Sequence, residues 1–180
     1  GKVVAVGPKT EKKLMGKICS LPEHSGTWLE YSAAKAEDLI LLPSLVPPEQ
    51  LALGILNPLT AWRLLNDFEY LRPDDWIVQN AANSAVGTSV IQFAKRLGVK
   101  VINLVRREEL QKPLNELGAN HVLLDDEDST TAIDDLTTGA GCRLALNSVG
   151  GRSAVRLAKS LTSGGVHVTY GAMTGEPIRF

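Results

Sequence analysis

Cysteine is scarce: Cys19 and Cys142 are the only two in 180 residues. Two thiols so far apart make neither a disulfide framework nor a zinc knuckle, and they read as unpaired thiols of a reducing compartment. Neither sign of charge dominates. A net charge of −1 argues against a nucleic-acid partner or an anionic membrane surface. Apolar runs are short, none approaching the roughly 18 residues of a membrane-spanning helix. The opening "GKVVAVGPKTEKK" has no long apolar stretch and no small-residue cleavage site, so a signal peptide is not expected. His24, His121 and His167 are scattered and read as structural. No His-Cys or H-E-x-x-H spacing joins them, and the lack of a G-x-S-x-G elbow and of a Walker lysine disfavours hydrolase and phosphoryl-transfer readings. What remains is an ordinary globular composition, 44% apolar and 22% charged, in a chain long enough for one sizeable domain and part of another.

Residues 1–45 show no helix–strand alternation. "KVVAVG" (Lys2–Gly7) predicts a short strand ending in a Gly-Pro turn, and Gly26–Pro43 predicts two more β segments. This part reads as a segment of a small β-rich lobe. The proline-rich "PSLVPPEQ" predicts a linker with a helix starting near Pro48, and a second helix is expected from about Pro58 to Glu69. Residues 46–180 form the second division. From Trp76 onward, apolar runs at Trp76–Val78, Val99–Val105, His121–Leu124, Leu144–Leu146 and Gly165–Val168 alternate with helical stretches. Val86, Val90, Ile91, Ala94 and Leu97 share one helical face that ends at Gly98. "EELQKPLNELG" predicts a helix interrupted or kinked at Pro113. "DSTTAIDDLTTG" predicts one capped by Asp128 or Ser129, and "GRSAVRLAKSL" gives another. "DDED" (Asp125–Asp128) reads as a solvated loop and helix cap. Five strands alternating with helices imply an α/β fold with a doubly wound parallel sheet of Rossmann type.

The turn in "WIVQNAANSAVGTSVIQFAKRLG" (Trp76–Gly98) stands where such a sheet keeps a G-x-G-x-x-G phosphate turn. Here it is Ala82-x-Ser84-x-x-Gly87, with only the last glycine retained. Phosphate affinity comes mainly from free N–H groups and the positive dipole end of the following helix. Those need no glycine, and Asn83 and Ser84 add side-chain donors. The second strand ends in "VINLVRREE", where an acidic residue would hold a ribose hydroxyl and an arginine a 2′-phosphate. Arg106 and Arg107 stand there. A charge-assisted contact contributes roughly 1.5–3 kcal/mol, enough for at least a tenfold preference for the phosphorylated cofactor. The strand ends Gln79–Asn80, Asn147–Gly151 and Tyr170–Met173 converge on the rim between the first and fourth strands of the sheet, where ligands bind in this fold.

Together "NPLTAWRLL", "DFEYLRPDDWIVQNAANSAVG", "INLVRRE", "LALNSVGG" and "VTYGAM" resemble the medium-chain dehydrogenase/reductase superfamily. Within it they are similar to the zinc-free 2-enoyl thioester reductases, of the trans-2-enoyl-CoA reductase type. The resemblance runs over essentially the whole chain and accounts for the Asn-Ser pair in the turn. It implies NADP(H) contacts at Asn57, Asn83, Ser84, Ala85 and Val86. It implies 2′-phosphate contacts at Arg106 and Arg107, without deciding between them, and nicotinamide-side contacts at Tyr170, Gly171, Ala172 and Met173. The zinc-dependent branch has a cysteine at about the place of Asn57, so the resemblance implies a metal-free site.

The reaction implied is NADPH-dependent reduction of an enoyl-CoA or enoyl-acyl-carrier-protein in fatty-acid metabolism. Hydride would pass to the β-carbon, and the enolate would be protonated at the α-carbon. The family's β-rich lobe is GroES-like and carries a proton-donating tyrosine. Its larger part is expected before Gly1, and a further strand and return segment beyond Phe180. Tyr31, Tyr70 and Tyr170 do not match that motif, so no catalytic acid is assigned. The resemblance also implies a homodimer of the full-length protein, in the cytoplasm of a bacterium or the mitochondrial matrix of a eukaryote. Two other readings stand beside it: an NADPH quinone oxidoreductase of the same superfamily, and an NADP(H)-binding module without catalysis.

Overall fold

The computed structural model describes residues 1–22 and 25–179; His24 lies outside them. The chain divides into two compact units, Gly1–Gly54 and Ile55–Phe180.

In the first unit, β1 (Ile18–Ser20) pairs antiparallel with β2 (Ile40–Leu42), with Cys19 opposite Leu41. The expected strand over Lys2–Gly7 reduces to a single bridge between Lys2 and Ile18. A strand extends only as far as its partner's free edge, and β1 offers three residues. Gly26–Pro43 likewise holds one strand, β2, rather than two. A 3₁₀ turn at Ala36–Asp38 takes up the residues before it. Helix α1 (Pro48–Leu53) opens on Pro48 at its first position, where the missing N–H has no acceptor to lose.

In the second unit α2 (Leu56–Asn66) precedes β3 (Trp76–Gln79), α3 (Ala85–Leu97), β4 (Lys100–Val105), α4 (Gln111–Leu117), β5 (His121–Leu124), α5 (Ser129–Thr137), β6 (Cys142–Asn147), α6 (Gly151–Lys159) and β7 (Leu161–Thr169). The five strands form a parallel sheet in the order β5-β4-β3-β6-β7. The chain first winds outward from β3 to β5, then returns to the other side of β3. The first and fourth strands of the sheet are therefore neighbours, the switch point of a doubly wound fold. Alternate residues of each strand feed opposite faces. Ile77, Val101, Leu144 and Leu146 pack with Ala61, Leu64 and Leu65 of α2 and with Val90 and Ala94 of α3. Val78, Ile102, Leu104, Cys142 and Ala145 pack with Ile133 of α5 and Leu157 of α6. Burial on both faces is why these strands read as unbroken apolar runs. Burial also pushes the Cys142 thiol up to about 12, so it stays protonated and inert at neutral pH. No described helix is long and apolar enough to cross a membrane.

The helix ends show where local reading worked and where it did not. Gly98 ends α3 in the left-handed region, φ 72°, as its position predicts. Pro113 does not kink its helix. It sits in the first turn of α4, after a 3₁₀ turn at Glu108–Leu110, where a proline breaks no hydrogen bond. Asp128 is the N-cap residue of α5, as expected, but its side chain makes no cap hydrogen bond. Asp126 Oδ1 accepts from the backbone N–H groups of Asp128 and Ser129, both at 3.1 Å.

Asp125 is not a solvated loop residue either. Its side chain is 5% exposed and pairs with Arg156 of α6, whose Nε and Nη2 donate to Oδ1 at 3.0 and 2.6 Å. Arg156 Nη2 also donates to the Asp125 carbonyl. Removing one partner strands a buried charge. Arg156→Met is therefore expected to lower stability by about 3 kcal/mol, measured as a shift in the urea midpoint at constant slope.

Candidate functional site

The carboxyl ends of β3, β6 and β7 form a rim built on buried amides. Asn80, fully buried after β3, donates from Nδ2 to Asn147 Oδ1 and to Ser153 Oγ, both at 2.8 Å. Its Oδ1 accepts the Ser148 N–H at 2.8 Å. Asn147 Oδ1 also accepts from the N–H groups of Val149 and Gly150, and its Nδ2 donates to Thr169 Oγ1. Ser153 Oγ donates a hydrogen bond to Asp125 Oδ2, so the rim is anchored through α6 to the Asp125–Arg156 pair. On the other side Gln79 Nε2 donates to the Gly87 carbonyl at 3.1 Å and to Asn103 Oδ1 at 2.7 Å, which holds α3 against the end of β3.

The turn from β3 to α3 shows why two fingerprint glycines are dispensable. Ala82 is not among the left-handed residues, and Ser84 has φ −72°. The left-handed residue is Ala81, φ 47°, one position before the fingerprint. Gly87 is different. A Cβ there would sit 2.8 Å from the Cα and carbonyl carbon of Ala82. Ser84 is the N-cap of α3, its Oγ accepting the Gly87 N–H at 3.0 Å. It thus serves the helix before any ligand, and the hydroxyl hydrogen is what it has left to offer. The N–H groups of Ala85 and Val86 have no acceptor among the described residues, as expected of a first helical turn.

Ser84, Ala85, Val86 and the exposed Asn83 therefore lie on one turn at the positive end of α3. Arg106 and Arg107 follow β4, the strand beside β3, and both are exposed. Arg107 pairs with Glu109 at 3.0 Å, while Arg106 makes no ion pair among the described residues. Tyr170–Met173 lie along the loop after β6. The Tyr170 N–H donates to the Asn147 carbonyl, and the Met173 N–H to the Ser148 carbonyl at 3.0 Å. Gly171 permits this approach, since a Cβ there would be 3.0 Å from the Ser148 carbonyl oxygen. Ala172 and Met173 are exposed. Asn57 stands apart in sequence, half-buried in the first turn of α2, the helix packed along α3.

Sequence reasoning passed over Ser148, Ser153 and the Asp125–Arg156 pair. Ser148 lies inside the quoted "NSVGG" but reads there as a turn residue. Its hydroxyl and the Tyr170 phenol oxygen are buried without a hydrogen-bond partner, as is Gln79 Oε1. Burial raises the Tyr170 phenol above its ordinary value. The Ser148 and Ser84 hydroxyls lie near enough to oppose that shift, yet neither closes a hydrogen bond to it. Apart from Gln79 Oε1, the groups left over at this rim can all donate: two helix-end N–H groups, hydroxyls and a guanidinium. That is a donor set for an anionic, phosphate-bearing ligand.

A family model for zinc-binding dehydrogenases matches residues 85–180. The chain belongs to this family, within the medium-chain dehydrogenase/reductase superfamily. It is 40% identical, over 99% of its length and 53% of the relative's, to a mitochondrial enoyl-[acyl-carrier-protein] reductase of Xenopus tropicalis. Two solved structures each cover 99% of the chain at 30% identity and a TM-score of 0.87. One is a putative NADPH:quinone reductase from Bacillus thuringiensis, 54% covered. The other is a variant of Etr1p in complex with NADP and crotonyl-CoA, 55% covered. The chain spans about half the length of the relatives it matches. Despite the family's description, the described residues bring no three His, Cys, Asp or Glu side chains together to hold a metal ion. Gly87→Ala must push α3 away from Ala82. It is expected to cost about 2 kcal/mol, seen as a lowered thermal midpoint in the ligand-free protein.

Proposed function

We propose that the chain carries the NADP(H)-binding half of an enoyl thioester reductase, which reduces 2-enoyl thioesters of fatty-acid metabolism. The observation that supports it most directly is the convergence of donors at the α3 N-terminus beside a guanidinium without an ion pair. The relatives' names point the same way. NADPH, when bound, supplies the hydride. The Ala85 and Val86 N–H groups would hold its diphosphate, with Asn83 and Ser84 on the same turn. Arg106 rather than Arg107 would take the 2′-phosphate, because Arg107 is engaged by Glu109. Tyr170, Gly171, Ala172 and Met173 would line the nicotinamide side, and Asn57 would contact the cofactor from α2. The site needs no Lewis acid in this reading, since a thioester carbonyl is itself the electron sink and the protein's part is orientation and charge stabilisation.

The first 45 residues fit a segment of the GroES-like catalytic lobe. Two paired strands of three residues each are too small to stand alone. Trp28, Tyr31 and Leu45 are left 100%, 77% and 97% exposed, as surfaces awaiting the rest of a lobe. The substrate would be an enoyl-CoA or an enoyl-acyl-carrier-protein. The Etr1p/Etr2p heterodimer of Candida tropicalis, 28% identical to the chain, supports a homodimer of the full-length protein. A mitochondrial matrix location follows for a eukaryotic source, and the cytoplasm for a bacterial one. The likeness to the Bacillus protein keeps quinone reduction as the second reading.

Two measurements test these statements. NADPH oxidation by the complete polypeptide is expected with crotonyl-CoA. Oxidation by a quinone alone would establish the second reading, and tight NADPH binding with neither acceptor consumed would leave a binding module. Arg106→Ala is expected to weaken NADPH at least tenfold while NADH binding stays nearly unchanged. Arg107→Ala should do much less. Equal losses for both cofactors would overturn the 2′-phosphate assignment.

A further inference from the structure

We propose that the Ser148 and Tyr170 hydroxyls form, with the N-terminus of α3, a binding point for a diphosphate oxygen, that of the bound dinucleotide. The inference rests on the dinucleotide reading above, adds Ser148 to it, and gives the hydroxyl of Tyr170 a place at the diphosphate while its backbone and neighbours line the nicotinamide side. Ser148 is 8% exposed. Its Oγ and Tyr170 Oη are buried and unpartnered. A buried hydroxyl without a partner is costly, and buried polar groups in folded proteins are nearly always partnered. The Tyr170 hydroxyl lies close to that of Ser148 and to that of Ser84, the cap of a 13-residue helix. The Ala85 and Val86 N–H groups of that helix's first turn also lack acceptors.

Tyr170 packs against the buried cluster that holds Val90 and Ala94 of α3 and Leu144 and Leu146 of β6, and its hydroxyl lies near that of Ser84 at the α3 turn. Burial keeps the phenol protonated, and so a donor, at neutral pH. Ser84 already accepts the Gly87 N–H, so its remaining capacity is also to donate. Donors converging at the positive end of a helix, without a protein acceptor among them, suit an anionic oxygen better than a neutral one.

Two variants each remove a single oxygen, Tyr170→Phe and Ser148→Ala. Binding of NADPH, inorganic pyrophosphate and 2′-AMP to the 180-residue chain is measured by calorimetry, 2′-AMP reporting the Arg106 end alone. Each variant is expected to weaken NADPH and pyrophosphate about tenfold and to leave 2′-AMP unchanged. The ligand-free thermal midpoint should stay level or rise, because an unsatisfied group has been deleted; a fall would mark a structural role and overturn the proposal. Variants that bind NADPH and pyrophosphate as the wild type does would overturn it and leave the dinucleotide reading standing. A wild type that binds pyrophosphate but not NADPH would overturn the dinucleotide reading and keep the hydroxyl point. A wild type that binds neither would overturn both.

Discussion

The side chain of Asn80 is the joint on which the site turns. Its amide spans the gap between the first and fourth strands of the sheet, donating to Asn147 and Ser153 and accepting from Ser148. At this point the topology reverses and the two βα connections diverge, so backbone pairing gives way to an open crevice. An amide can bridge such a crevice in both directions, because it donates and accepts within one planar group. Fully buried and fully satisfied, it sets the spacing of the two strand ends. The α3 turn, the "NSVGG" loop and the return of Tyr170–Met173 are placed by that spacing. Ser153, Asp125 and Arg156 continue the network away from the crevice and tie it to α6 and to the end of β5.

The phosphate turn shows how one physical requirement can be met by different residues. A fingerprint glycine is needed where φ is positive or where a Cβ would strike backbone. In this turn only Gly87 meets the second condition, and neither Ala82 nor Ser84 is left-handed. The serine then does work that glycine cannot, capping α3 through Gly87 N–H. The local strain has moved to Ala81. What the turn presents to a ligand is unchanged, namely N–H groups at the end of a helix dipole.

Much of the second unit was legible in the sequence. The five strands, their parallel order and the helix from Val86 to Gly98 follow from apolar runs and from a helical face closed by glycine. The first unit was read less well. Three expected strands became one three-residue strand and a bridge, while Ile18–Ser20 went unread. Short β segments take their identity from partners, and alternation alone does not say whether a partner is there. Asp125 was misread for a related reason. Four acidic residues in a row look solvated until an arginine 31 positions later turns out to face one of them.

By itself, the sequence determined the fold class, the direction of winding and the position of the turn and its two arginines. These depend on periodicity, on residue size at one glycine and on distance along the chain, all of which are local. Only the tertiary structure paired Arg107 with Glu109, made Ser84 a cap, and left the Ser148 and Tyr170 hydroxyls buried with no hydrogen-bond partner among the described residues. Those properties belong to pairs of groups. Whether a polar atom is satisfied depends on which other atoms folding brings within about 3 Å of it, and nothing in the order of residues along the chain states that.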